Sequence, residues 1–181
     1  MNTVNFRNDD VLQVEPVSKA QRLAWQDRPP FLHFLEADKI FNKYNYPCTL
    51  AILSEGIDEF PDWVEYIKQH QSRYIIELHG SSHLKYGSMS REQGKEDLKQ
   101  AKEEIEDTFK TKITTWYVPF GRKNIPEWGV DVCKELGIKC DIPIEKALPY
   151  FYRQGVRDLN FHYWDRKQVE QVNNILWKNT K

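Results

Sequence analysis

The sequence predicts an α/β chain folded as a (β/α) barrel, and three observations carry that prediction. Strand-like runs alternate with helix-like runs along the chain. Each strand-like run is apolar along its length, as strands buried on both faces are. About six or seven such units recur, and no glycine-rich fingerprint follows the first, which argues against an open dinucleotide-binding sheet.

The elements follow in order. Thr3–Phe6 is short, β-prone and N-terminal. In Phe31–Tyr44 the apolar Phe31, Phe34, Leu35, Ile40 and Phe41 fall at helical spacing. Cys48–Leu53 reads as a buried strand. Phe60–His70 reads as a helix with Pro61 near its first turn, and Arg73–Leu78 as the next strand. Arg91–Lys110 is a helix opened by a Ser90/Gln93 capping box. Its Leu98, Ala101, Ile105 and Phe109 share one face, and its Lys/Glu-rich face is solvated. Strand Ile113–Val118 comes next, then helix Pro126–Leu136 closed by Gly137, then strand Ile138–Ile142. A last strand near Leu159–Tyr163 leads into helix Arg166–Lys178, capped by Asp165 with Gln168 as its box partner.

The length, 181 residues, suits a single domain spanning 1–181 with a real hydrophobic core. Twenty-six basic residues oppose 27 acidic ones, so the charge carries no footprint for nucleic acid or an anionic membrane. No stretch approaches the roughly 18 apolar residues of a membrane span. The opening MNTVNFRNDD has no basic segment followed by an apolar one, so no signal peptide is expected and the chain is assigned to the cytoplasm. Cys48, Cys133 and Cys140 lack metal-ligand spacing and read as buried or incidental thiols.

Chemistry in such folds sits at the C-terminal ends of the strands. Asp9 and Asp10 follow the first strand, His79 and His83 the third, Pro119–Phe120–Gly121 the fourth, and His162 sits near the end of the last. A catalytic Zn²⁺ takes three protein ligands and keeps a fourth position open. Asp10, His79 and His83 satisfy that count, with Gly80 and two serines letting the chain turn between the rings. Zinc is the expected metal, and cobalt, nickel and iron accept the same ligand set. Asp9 then stays free as a base, and His162, whose ordinary pKa of about 6.5 lies near working pH, is the candidate acid. Each residue also has a bland reading. A His-x-x-x-His pair arises by chance, Asn8–Asp9–Asp10 suits a surface turn, and a histidine between Phe161 and Tyr163 suits a core.

Four short motifs in this order resemble the polysaccharide deacetylase family, carbohydrate esterase family 4, with its NodB-homology domain. They are "FRNDDV", "HGSSH", "YVPFGR" and "LNFH", joined by the helix-and-strand stretch "ADKIFNKYNYPCTLAIL". The resemblance implies a distorted seven-stranded, TIM-like (β/α) barrel and metal-dependent removal of acetyl groups from N-acetylated sugars. It implies Asp9 as base, Asp10, His79 and His83 as metal triad, and His162 as acid. Leu159 would line the acetyl pocket, and the Phe120 N–H would face the oxyanion. Tyr117 and Trp164 complete the expected substrate contacts, and Tyr150, Phe151, Tyr152 and Tyr163 are further rings available to stack on sugar.

The sequence departs from the family pattern in three places. Val11 stands where a glycine usually follows the Asp pair. Tyr117 stands where an arginine usually orients the base, leaving Arg7 and Arg122 as replacements. The fourth motif is unrecognisable, so Asp141, Asp158 and Asp165 are all candidates to partner His162. Two alternatives to carbohydrate deacetylation follow: an amidohydrolase acting on a non-sugar C–N bond, and a non-catalytic metal- or carbohydrate-binding homologue.

Overall fold

The computed structural model describes residues 3–121, 124–141 and 156–179. Six strands form one parallel sheet: β1 (Thr3–Val11), β2 (Cys48–Leu53), β3 (Tyr74–Gly80), β4 (Thr115–Trp116), β5 (Lys139–Cys140) and β6 (Val156–His162). Their order is β5-β4-β3-β2-β1-β6. The chain thus steps outward from β1 to β5, and β6 returns to the other side of β1, paired from Thr3↔Val156 to Asp9↔His162.

Helices join these strands. They are α1 (Lys19–Asp27), α2 (Pro30–Lys43), α3 (Gly56–Glu59), α4 (Pro61–Gln69), α5 (Arg91–Phe109), α6 (Gly129–Glu135) and α7 (Arg166–Asn179). The α/β class and the parallel sheet match expectation. A seventh strand has no counterpart among the described residues, and residues 142–155, between β5 and β6, lie outside them. No helix among the described residues is long and apolar enough to cross a membrane.

Two strands differ from expectation in length and one helix is added, each for a physical reason. β1 runs on to Val11 rather than ending at Phe6, because pairing of Asn8 with both β2 and β6, and of Asp9 with β6, draws these polar residues into the ladder despite their poor strand propensity. β4 is shorter than expected because the buried Glu77 carboxylate captures the N–H groups of Thr114 and Thr115, each at 2.8 Å. Its other oxygen takes the Thr114 hydroxyl at 2.5 Å, so a side chain replaces the start of that ladder. α1, absent from the sequence expectation, is capped by Ser18, whose Oγ accepts from the Gln21 N–H at 3.0 Å. By contrast α5 forms as expected, with both capping-box bonds present and Leu98, Ala101, Ile105 and Phe109 buried.

The core is aromatic. Phe34 and Trp63 lie 5.1 Å apart between ring centroids, and Trp63 meets Tyr163 edge-on at 5.4 Å. Tyr163 is 2% exposed, which corrects its expectation as a sugar-stacking ring. Tyr150, Phe151 and Tyr152 lie outside the described residues. Cys48 and Cys133 are buried, Cys140 is half-buried, and all three are free.

Candidate active site

Because every pairing is parallel, the C-terminal strand ends share one rim. A bulge shapes the end of β1. Between the pairs Asn8↔Leu50 and Val11↔Ile52, β1 has Asp9 and Asp10 where β2 has only Ala51. Successive residues of a regular strand point to opposite faces. Here Asp10 takes a left-handed conformation, φ 61°, which re-aims its carboxylate. Such a backbone costs about 1–3 kcal/mol, and Asp tolerates it better than most residues.

His79 is the last residue but one of β3, and its Nδ1 lies 2.6 Å from the Tyr117 carbonyl. A carbonyl only accepts, so Nδ1 carries the hydrogen and Nε2 keeps its lone pair. Gly80 follows at φ 139°, and a Cβ there would lie 2.2 Å from the Tyr86 hydroxyl. Only glycine permits that turn. The loop is then tied to α5. Asp97 accepts from the Ser81 hydroxyl and the Tyr86 hydroxyl, each at 2.5 Å, and from the Ser81 N–H at 3.4 Å.

These elements bring Asp10, His79 and His83 together. Asp10 Oδ1 lies 3.4 Å from His79 Nε2 and 3.1 Å from His83 Nε2. Ligands at 2.0–2.1 Å on a tetrahedral ion stand roughly 3.3 Å apart. Asp10 Oδ1 and His79 Nε2 are buried and make no hydrogen bond. Buried polar atoms without partners are costly in a folded chain. The three donors therefore fit a divalent cation in spacing, chemistry and unsatisfied valence, and their ligand atoms all lie within 4.8 Å of one another.

Asp9, also buried, belongs to a different network. Arg7 Nε donates to its Oδ1 at 2.6 Å and Arg7 Nη2 to its Oδ2 at 3.1 Å, a bidentate clamp. Asn160 Nδ2 donates to Oδ2 at 2.6 Å. Arg7 Nη1 donates to Asp141 at 2.9 Å, and the guanidinium lies over the Tyr117 ring, 4.1 Å from its centroid. Burial works against the Arg7 charge, but Asp9 and Asp141 outweigh it and push its pKa up. Of the two arginines considered as replacements at Tyr117, Arg7 thus holds Asp9, stacked on the tyrosine. Arg122 lies outside the described residues.

His162, ending β6, points Nε2 towards Asp10 Oδ2 at 3.7 Å. Its Nδ1 faces Gln168 Oε1 at 3.2 Å. Of the three candidate aspartates, two are engaged elsewhere. Asp141 is engaged with Arg7, and Asp165 accepts from the N–H groups of Lys167 and Gln168 at the start of α7. The Asp158 side chain is outside the described set. Trp164 Nε1 lies 3.5 Å from Asp10 Oδ2, and its ring lies 5.1 Å from that of His162. Phe120 is 48% exposed at φ 59°, its ring edge-on to His83 at 4.2 Å. Leu159 is half-buried in the middle of β6, paired with Phe6 and packed against the core.

Sequence reasoning missed Asn160, Gln168 and Asp97. Asn160 had a usable signal: it is two residues before His162 and so on the same face of β6. Asp97 had none, because its position on α5 says nothing about a loop sixteen residues upstream.

The sequence profile of the family described as polysaccharide deacetylase matches residues 26–140. No curated protein matches the chain. Solved structures share the fold. BA3943 of Bacillus anthracis, described as a CE4 family pseudoenzyme, is 12% identical with a TM-score of 0.68, covering 98% of this chain and 60% of its own. A mutant of BA3943 with restored enzymatic activity has a TM-score of 0.71 at 13% identity, with coverage of 98% and 62%. The polysaccharide deacetylase Bc1974 of Bacillus cereus is 14% identical with a TM-score of 0.66, covering 98% of this chain and 86% of its own. The peptidoglycan deacetylase PdaC of Bacillus subtilis is 14% identical with a TM-score of 0.65, with coverage of 99% and 83%. This chain therefore spans about 60% of the length of the two BA3943 structures.

Proposed function

We propose, from the premise that this chain belongs to the polysaccharide deacetylase family, that it is a metal-dependent hydrolase removing acetyl groups from N-acetylated sugars or polysaccharides. One observation carries the reading. The unsatisfied Asp10 Oδ1 and His79 Nε2 converge with His83 beside a carboxylate, Asp9, that is separately clamped by Arg7. Asp10, His79 and His83 would hold the ion, zinc by ligand type. When bound, such an ion polarises a carbonyl and brings the pKa of water to about 7.

The chain's own residues then divide the work. Arg7 and Asn160 occupy three of the roughly four lone-pair directions of Asp9, leaving one on Oδ1. That atom takes the proton of the attacking water. His162 Nε2 delivers a proton to the leaving nitrogen. The Phe120 N–H donates to the developing oxyanion, a contribution typically worth about 10²–10³ in rate. Leu159, Tyr117 and Trp164 line the acetyl group and sugar. We include in the proposal a single domain and a seven-stranded barrel.

The test is acetate release from N-acetylglucosamine oligomers by zinc-loaded protein. Asp9→Asn is expected to lower turnover by about 10³-fold while zinc stays bound. Wild-type rates in that variant would overturn the base assignment. A second reading, a non-catalytic sugar-binding homologue, draws on BA3943, a pseudoenzyme of the same fold. Sugar binding by calorimetry with zinc loaded and no acetate released would select it.

A further inference from the structure

Gln168 meets His162 at two points. Its Oε1 accepts from the His162 backbone N–H at 2.8 Å and lies 3.2 Å from the ring Nδ1. At its other end, Nε2 donates to Asp165 Oδ2 at 2.9 Å. A backbone N–H can only donate, and an ionised carboxylate can only accept. The amide is therefore oriented by both ends, oxygen towards His162 and nitrogen towards Asp165. An oxygen at that distance from Nδ1 requires a hydrogen on Nδ1. The neutral ring is then the Nδ1–H tautomer, and its lone pair sits on Nε2, the atom facing Asp10 Oδ2 at 3.7 Å. Asp165 is itself anchored by the N–H groups of Lys167 and Gln168, at 3.0 and 3.2 Å, so the relay starts in the first turn of α7.

The geometry points to Gln168 as a positioning residue that sets the tautomer and ring orientation of His162, so that Nε2 is the ring nitrogen that takes up and gives off a proton at the rim. The hydrogen bond to the backbone N–H holds the amide in place, because sliding it would break that part-buried bond. Gln168 is also the third residue of α7 after its cap, where a capping box would aim its side chain at the cap's N–H. Instead that side chain reaches the His162 N–H, three residues further back. Capping alone does not account for this.

The consequence for turnover rests on the proposed role of His162, whereas the tautomer does not. The test therefore reads both. In zinc-loaded protein labelled with ¹⁵N-histidine, at a pH about two units above the ordinary imidazole pKa of ~6.5, long-range ¹H–¹⁵N correlation spectra report the tautomer. Wild-type His162 is expected as Nδ1–H, and Gln168→Leu as Nε2–H, the form free imidazole side chains favour in water. Gln168→Glu retains an acceptor and is expected to keep Nδ1–H. On N-acetylglucosamine oligomers Gln168→Leu is expected to lose about tenfold in kcat with KM within about twofold, and Gln168→Glu to recover most of it. An Nε2–H tautomer in the wild type, or no change of tautomer in Gln168→Leu, overturns the proposal. The expected tautomer shift with no acetate released by any variant supports it and overturns the deacetylase reading instead.

Discussion

Two buried aspartates sit towards opposite ends of the sheet and live in opposite circumstances. Asp38, on α2, is 5% exposed, and Asp10, at the end of β1, is 3% exposed. Both oxygens of Asp38 are supplied with donors. Tyr74 hydroxyl reaches Oδ1 at 2.6 Å, and Tyr66 hydroxyl and Arg73 Nη2 reach Oδ2 at 2.6 and 2.9 Å. Oδ1 of Asp10 faces two imidazole nitrogens with no hydrogen bond to either. Tyr74 opens β3 and His79 nearly closes it, so one strand connects the two clusters. The comparison teaches how to tell scaffold from site. A buried charge whose partners are complete holds elements together, and one whose partners are missing is prepared for something that arrives later.

Zinc separates the two most sharply. At a free concentration about a thousandfold above Kd, a ligand that binds only the folded state adds about 4 kcal/mol to stability. Thermal unfolding of the wild type is expected to move up accordingly, and that rise should vanish in Asp10→Ala and His79→Ala. Asp38→Ala should keep the full rise. Loss of the zinc effect in the Asp38 variant would erase the distinction.

The reciprocal experiment reads intrinsic stability. Removing one member of a buried charged cluster costs about 3–5 kcal/mol. Asp38→Ala should therefore lower the urea midpoint by the equivalent of about 3 kcal/mol, with zinc affinity unchanged by calorimetry. A loss below about 1 kcal/mol would mean that the tyrosines and Arg73 are well solvated without their carboxylate.

The smallest expected effect is on the alkaline side. Burial and the bond to Asp38 push the Tyr74 hydroxyl well above its ordinary pKa of about 10. A group raised in the folded state stabilises fully below its unfolded pKa, and that contribution is lost as pH rises past it. Wild-type stability should decline above about pH 10, and Tyr74→Phe should flatten that decline without altering zinc binding. An equally steep decline in the variant would remove Tyr74 as its cause.

The legibility of the site followed the range of its interactions. The metal-type triad could be read because its members are chemically distinctive and end strands whose apolar runs are visible. The clamp on Asp9 was half legible. Arg7 lies two residues upstream on the same strand face, but Asn160 is 151 positions away and joins only through the Arg7↔Asn160 register of β1 and β6. The partner of His162 was open in the sequence, with three aspartates as candidates, and Gln168 is what faces its Nδ1. Gln168 looked like helix-capping composition and nothing more.

What the amino-acid order determined alone was local: the α/β alternation, the α5 capping box, the strand-end positions of Asp9, Asp10, His79, His83 and His162, and the Gly80 turn. These depend on periodicity and backbone preference, which act over a few residues. What only the tertiary structure decided was which side chains share a face and which polar atoms stay without partners. The β1 bulge turns Asp10 towards the histidines, β6 returns beside β1 to bring Asn160 and His162, and β4 carries Tyr117 beneath Arg7. Such outcomes depend on register between distant strands, where a shift of one residue moves every side chain to the other face.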